Sequence, residues 1–161
     1  MNDRWVLVDG YSVLHAWPAL RKLAGRSLGQ RRDALVRVLW RYADQTGFRL
    51  TVVFDGYAAK HPAEASAPTP GIEVVFSEPG KTADDVIERL VGQAGDRRRI
   101  LVVSSDGLER QTVESMGAAS ASAELFLAEV EAALHDLAGS VRAHGRARRV
   151  GALRDRFGSF R

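Results

Sequence analysis

An α/β domain with a mostly parallel central sheet of four to five strands and helices on both faces is the fold this sequence predicts. Three observations carry that expectation. The short apolar runs Trp5-Val6-Leu7-Val8, Thr51-Val52-Val53-Phe54 and Ile100-Leu101-Val102-Val103 read as strands buried on both faces, as parallel strands are. Segments of helical periodicity lie between them, so strand and helix alternate along the chain. Each run also leads into an aspartate, Asp9, Asp55 or Asp106, close to the strand's carboxyl end.

The first strand covers residues 4–9, and Gly10-Tyr11 opens a short helical stretch toward Leu20. Residues 28–46 form a longer helix, because Leu28, Leu35, Val38, Leu39 and Tyr42 recur at three- and four-residue spacing, and Gly47 stops it. A second strand at 49–55 leads into Gly56 to Pro70, where three prolines among alanines and serines read as a mobile loop. Residues 72–76 supply the third strand, Glu78-Pro79-Gly80 a turn, and residues 83–93 a helix. The fourth strand is 99–104; Asp106 begins a helix reaching about Met116, closed by Gly117. A short edge strand near Ala118 and a helix from about Ser122 to Leu137 complete the domain, with right-handed crossovers throughout.

With 161 residues, the chain suits one domain able to bury most of its apolar surface. A hydrophobic fraction of 45% and a charged fraction of 27% fit an ordinary globule. Cysteine is absent, which excludes thiol catalysis, cysteine zinc sites and disulfide frameworks and suits a cytoplasmic protein. The N-terminus lacks the order of a signal peptide, and no apolar run approaches the ~18 residues of a membrane span, so no membrane partner is expected. Residues 140–161 carry seven arginines and one aspartate, a net charge of +6 that leaves −3 on residues 1–139. The domain is therefore expected to end at residue 139, with a basic tail at 140–161 whose Val150, Leu153 and Phe157 would give a helix an apolar stripe. A basic tail on an acidic body points to a polyanionic partner.

Acids at the carboxyl ends of parallel strands should meet at one edge of the sheet, where open α/β sheets bind ligands. Crowded carboxylates repel unless a cation compensates, and oxygen ligands are what Mg2+ or Mn2+ prefers. If Thr82 caps the helix at 83–93, Asp85 falls at N3, where it can reach back to the cap, while Asp84 at N2 is free to face a ligand. Asp9, Asp84 and Asp106 are the expected metal-binding and catalytic acids. Asp55 and Asp85 are further metal candidates, although Asp55-Gly56 also reads as a turn and Asp85 equally as a cap. Asp106 has an N-cap reading as well. A cation so held could polarise a phosphodiester, activate water and stabilise the leaving oxygen. His15, His61, His135 and His144 form no triad or metal motif, and no glycine-rich phosphate loop is present.

The run Val8-Asp9-Gly10-Tyr11-Ser12-Val13-Leu14-His15-Ala16-Trp17-Pro18 resembles the opening of YacP-like NYN domains, a branch of the PIN-like ribonucleases. Val53-Phe54-Asp55, Gly71 to Ser77, Lys81 to Leu90, Val102 to Asp106 with Glu109, and Gly117-Ala118 followed by Ser122 to Leu125 and Glu129-Val130 resemble that family in the same order, over roughly residues 5–135. The resemblance implies a PIN-like fold and Mg2+- or Mn2+-dependent endoribonuclease activity, with Asp9, Asp84 and Asp106 at the metal and Asp55 nearby. It also implies messenger RNA at the ribosome as the setting. Ser12 stands where the family usually has asparagine; it keeps a hydroxyl but loses the amide's reach, which leaves room for altered substrate orientation and reduced activity. Ser12 and Ser105 are expected to support the metal-bound acids from behind.

For RNA, the expected contacts are Arg21, Lys22, Arg26, Arg31 and Arg32 before and within the long helix, Lys81 beside Asp84, and Arg146, Arg148 and Arg149 in the tail. Tyr11 could stack on an unpaired base, favouring single strands, whereas Trp17 reads as core. A monomer is expected. The alternative is a non-catalytic RNA- or ribosome-binding module that keeps the fold; a phosphoryl-transfer receiver with Asp55 as acceptor fails for want of its partner lysine or second acid.

Overall fold

Residues 3–21, 27–56, 71–136 and 139 are described in the computed structural model. In chain order the elements are β1 (Trp5–Asp9), α1 (Gly10–Ala16), α2 (Pro18–Arg21), α3 (Leu28–Thr46), β2 (Arg49–Phe54), β3 (Ile72–Phe76), α4 (Ala83–Gln93), β4 (Ile100–Val103), α5 (Gly107–Ser115), β5 (Ala119–Ala121) and a helix at 123–136, α6. The strands form one five-stranded sheet in the order β3-β2-β1-β4-β5, every neighbouring pair parallel.

Alternation along β1 divides its side chains between two cores. Val6 and Val8 pack with Leu14 of α1, Leu20 of α2, Leu35 and Leu39 of α3 and Phe126 of α6. Leu7 faces the other way, onto Ile87 and Val91 of α4 and Val113 of α5. Helices therefore cover both faces, which is why every residue of β4 and all but the first of β2 are buried. Trp17 is core as its sequence position suggested, only 6% exposed, and His15 lies on the exposed side of α1.

Local chemistry sets the boundaries. Ser27 begins α3 through a capping box with Gln30, and Gly47, at φ 72°, ends it in a left-handed cap. The fourth strand starts at Ile100 rather than 99 because Arg97–Arg99 form a 3₁₀ turn, capped by Asp96 accepting from the Arg98 N–H at 3.2 Å. The edge strand expected near Ala118 runs over Ala119–Ala121, after Gly117 turns the chain at φ 104° and Ala118 is buried. The second strand stops at Phe54, leaving Asp55 just past its end. Of the expected loop at Gly56–Pro70, residues 57–70 lie outside the described residues, as do Lys22, Arg26 and the basic tail with Arg146, Arg148 and Arg149.

Gly10 fills a position where only hydrogen fits: a Cβ there would overlap the Phe54 ring. Gly10→Ala is expected to destabilise the fold by about 1–3 kcal/mol, the range for overpacking a filled core, read as a lower urea midpoint with the far-ultraviolet dichroism retained.

Candidate functional site

From β1 the chain builds outward through β2 and β3, then returns to place β4 on the other side of β1. The crevice beyond the carboxyl ends of β1 and β4 is thus the switch point of the sheet, the position at which such folds bind ligands. Asp9 is the last residue of β1 and also caps α1, since the helix starts at the next residue. Its Oδ2 accepts from the Ser12 hydroxyl at 2.9 Å and its Oδ1 from the Ser12 N–H at 3.4 Å. The same Ser12 oxygen accepts from the Ser105 N–H at 3.1 Å, joining the ends of β1 and β4 across the crevice. Beyond Ser105, Asp106 caps α5 by accepting from the Leu108 N–H at 2.9 Å. Its own N–H donates to Ser104 Oγ at 3.1 Å, and Arg110 holds the Ser104 carbonyl at 2.8 Å.

The two adjacent acids of α4 part as the capping geometry requires. Asp85 is exposed and accepts from the Thr82 N–H at 2.9 Å while Thr82 Oγ1 accepts from the Asp85 N–H at 3.2 Å. These bonds hold the Asp85 carboxyl below the usual carboxylate range. Of the two roles the sequence leaves open for Asp85, the cap is the one formed. Asp84 is half-buried, and burial, then the neighbouring charges of Asp9, Asp106, Glu88 and Asp85, push its carboxyl up to about 6. Burial also raises Asp9; the Ser12 hydrogen bonds work against that shift, and Asp55 adds to it. Asp55 itself lies one residue past β2, where Ser77 Oγ donates to its Oδ1 at 3.4 Å.

Asp9 and Asp106 thus both act on Asp84 at one edge, and Asp55, on the β2 side, acts on Asp9. Two further acids join them: Glu88, half-buried on α4, and Glu109, only 4% exposed on α5. Burial pushes Glu109 up to about 8, aided by a shared hydrogen bond with Glu88 and the charges of Asp84, Glu88 and Asp106. Glu109 Oε1 is buried with no protein partner. The available signal for both was helical spacing, since Glu88 lies one turn after Asp84 and Glu109 three residues after Asp106.

Among the described residues, no three of these side chains close into a ready-made metal cage. The neighbouring carboxylates do raise the proton affinity of Asp84 and Glu109. An all-oxygen donor set, unfavourably placed charges and an orphaned buried oxygen together fit a hard divalent cation better than any soft metal.

The flank of the edge over β2 and β3 is aromatic and cationic. Tyr11 packs edge-on against Phe54 at 5.3 Å between ring centres, and Phe54 stacks on Phe76 at 5.7 Å. The Arg32 guanidinium sits 5.9 Å from the Phe54 ring centre and 5.3 Å from that of Phe76, and donates to Tyr11 Oη at 3.3 Å. Arg31, also half-buried, carries a buried Nε without a partner. Lys81 is exposed at the start of α4, close enough to lower Asp85. Arg21 is exposed on α2, and among the described residues no hydrogen bond or ion pair joins it to the acids.

A family model for the YacP-like NYN domain matches residues 6–157, running past the boundary expected at residue 139. "Uncharacterized protein YacP" of Bacillus subtilis (strain 168) is 36% identical over 127 residues, covering 78% of this chain and 74% of that protein. The crystal structure of Rae1 (YacP) from Bacillus subtilis is similar with a TM-score of 0.76 and 32% identity, covering 92% of this chain and 85% of that one. That of a mutant of the same protein matches with the same TM-score and identity, over 89% and 84%. PIN-like and NYN domains are generally nucleolytic. With its switch-point acids, its parallel sheet and these similarities, the chain belongs to the YacP-like NYN domain family of PIN-like nucleases.

Proposed function

We propose that this protein is a Mg2+- or Mn2+-dependent endoribonuclease that cuts single-stranded RNA, with messenger RNA on the ribosome as its setting in the cytoplasm. The observation that carries the reading is the crowding of Asp9, Asp84, Glu88, Asp106 and Glu109 at the sheet's switch point, with Asp84 and Glu109 raised by burial and by their neighbours. Asp9, Asp84 and Asp106 would hold the cation, with Glu109 and Glu88 behind them. When bound, such an ion supplies charge for a phosphodiester's developing negative oxygens and lowers the pKa of a water.

The chain's own residues do the rest. Ser12 and Ser105 fix the Asp9 carboxylate relative to Asp106. The Thr82 box aligns the first turn of α4, so that Asp84 faces the crevice while Asp85 remains a cap. Tyr11, Lys81 and the arginines at 21, 22, 26, 31 and 32 would attract RNA, and the basic segment 140–161, with Arg146, Arg148 and Arg149, would extend that surface toward ribosomal RNA. A monomer suffices for this arrangement.

Cleavage of a labelled single-stranded RNA, free and as messenger on translating ribosomes, tests the reading. Cutting is expected with Mg2+ or Mn2+, none with EDTA, and a loss of roughly 10²-fold or more in Asp84→Asn or Asp106→Asn, the scale of removing a group that stabilises a transition state. RNA or ribosome binding without cutting would assign a binding module instead. Because Asp84 is repelled by its neighbours, Asp84→Asn in EDTA is expected to raise the urea midpoint, separating lost chemistry from lost fold.

Glu109 adds a pH dependence. Between its ordinary value of 4.5 and about 8, the folded chain keeps a proton there that the unfolded chain releases. Stability in EDTA should therefore fall as pH rises across that window, and Glu109→Gln should flatten the fall. Adding Mg2+ should raise the urea midpoint more at pH 8 than at pH 5, because the ion binds the ionised acids of the folded state.

A further inference from the structure

We propose that Arg32 forms a phosphate-binding subsite on the β2–β3 flank of the acidic edge, one that holds an RNA backbone phosphate beside the one to be cut. The inference rests on the nuclease reading above for the identity of the ligand.

The position follows from three strand ends. Tyr11 comes two residues after Asp9 at the end of β1, Phe54 ends β2 directly before Asp55, and Phe76 ends β3 directly before Ser77. Arg32 reaches all three from α3: its guanidinium is 5.9 Å and 5.3 Å from the two phenyl centres and donates to the Tyr11 hydroxyl at 3.3 Å. The phenyl rings stack on each other with planes 28° apart, and Tyr11 meets Phe54 edge-on, so the platform is itself packed. Gly10 lets the Tyr11 backbone come this close, since any side chain there would strike Phe54.

The chemistry of those contacts identifies the ligand. Two aromatic faces and a phenol hold a cation by its quadrupole attraction and one hydrogen bond, but none of them neutralises it. A guanidinium has five N–H donors in a rigid fork, and one is used at Tyr11. The remaining donors, and a charge that no ion pair among the described residues neutralises, match the paired oxygens of a phosphate, which a guanidinium binds bidentately. Placed beside an edge rich in carboxylates, a fixed positive charge also draws a polyanion to that flank and away from the acids, so that only the phosphate meant for cleavage meets the negative crevice. Rigid aromatic packing spares the ordering cost of a free arginine.

The experiment measures binding of a short fluorescent oligouridylate by anisotropy across a series of salt concentrations, in the Asp84→Asn background with Mg2+ present. Arg32→Ala and Arg32→Met are compared with their parent; Met keeps the apolar length over the rings if Ala perturbs the fold, and urea midpoints report folding. Both variants are expected to raise the Kd about tenfold, the loss of one charge-assisted contact, and to reduce the slope of log K against log salt by about 0.7, the value for one phosphate on a single strand. An unchanged Kd and slope in folded Arg32→Met would overturn the proposal. So would a weaker Kd with an unchanged slope, which would make the platform a packing device, and so would absence of oligouridylate binding by the parent. Cleavage by Asp84→Asn at the wild-type rate would overturn the assignment of Asp84 to the metal, and no cleavage by the wild type would sink the nuclease reading; in both cases the binding comparison would still decide the role of Arg32.

Discussion

Because β1 is hydrogen-bonded along both edges, to β2 from Trp5 through Asp9 and to β4 from Trp5 through Val8, its last residue has no freedom to move along or across the sheet. Everything at the site inherits its place from that strand. Val6 and Val8 seat one layer of helices and Leu7 the other, and that second layer brings the first turns of α4 and α5 to the same end as Asp9. Parallel pairing on both sides makes all the carboxyl ends face one way, so acids distant in sequence become neighbours in space.

That gathering works against electrostatics. Five carboxyls near one another in a partly buried setting cost free energy whenever they ionise together, and the chain meets the cost locally in different ways. Asp106 is steadied by a backbone N–H at the start of α5, as the exposed Asp85 is at the start of α4. Asp9 takes a hydroxyl and an N–H from Ser12. Glu109 has neither, and keeps its proton instead. Where a protein maintains such an arrangement rather than replacing it with apolar packing, stability is being given up for something a cation or substrate returns.

The legible part of this molecule was the part written in short-range code. Runs of β-branched residues marked the strands, Gly47 marked the end of α3, and the Thr82-to-Asp85 spacing offered Asp85 a cap while leaving Asp84 free. Asp9, Asp84 and Asp106 could be grouped because each sits at an element's end. Glu88 and Glu109 fall inside amphipathic helices, where a glutamate ordinarily faces solvent, and only the tertiary packing of α4 against α5 turns them inward. The Arg32 platform was hidden for a stronger reason: it joins residues 11, 32, 54 and 76, and nothing local in any one of them announces the others. The family resemblance named Glu109 within a motif without giving it a role.

Ser12 has a mechanical consequence beyond its contact with Asp9. A single oxygen both receives the Ser105 N–H and gives its proton to the carboxylate, so one atom spans the gap between the ends of β1 and β4. An amide at this position would use two separate atoms at the end of a longer arm, and the gap could widen by rotating one while keeping the other. With serine, a wider gap costs the Ser105 bond, since Ser12 and Asp9 both belong to the β1 side. One hydroxyl thus serves two elements, and replacing Ser12 removes the link to Ser105 and the support of Asp9 together.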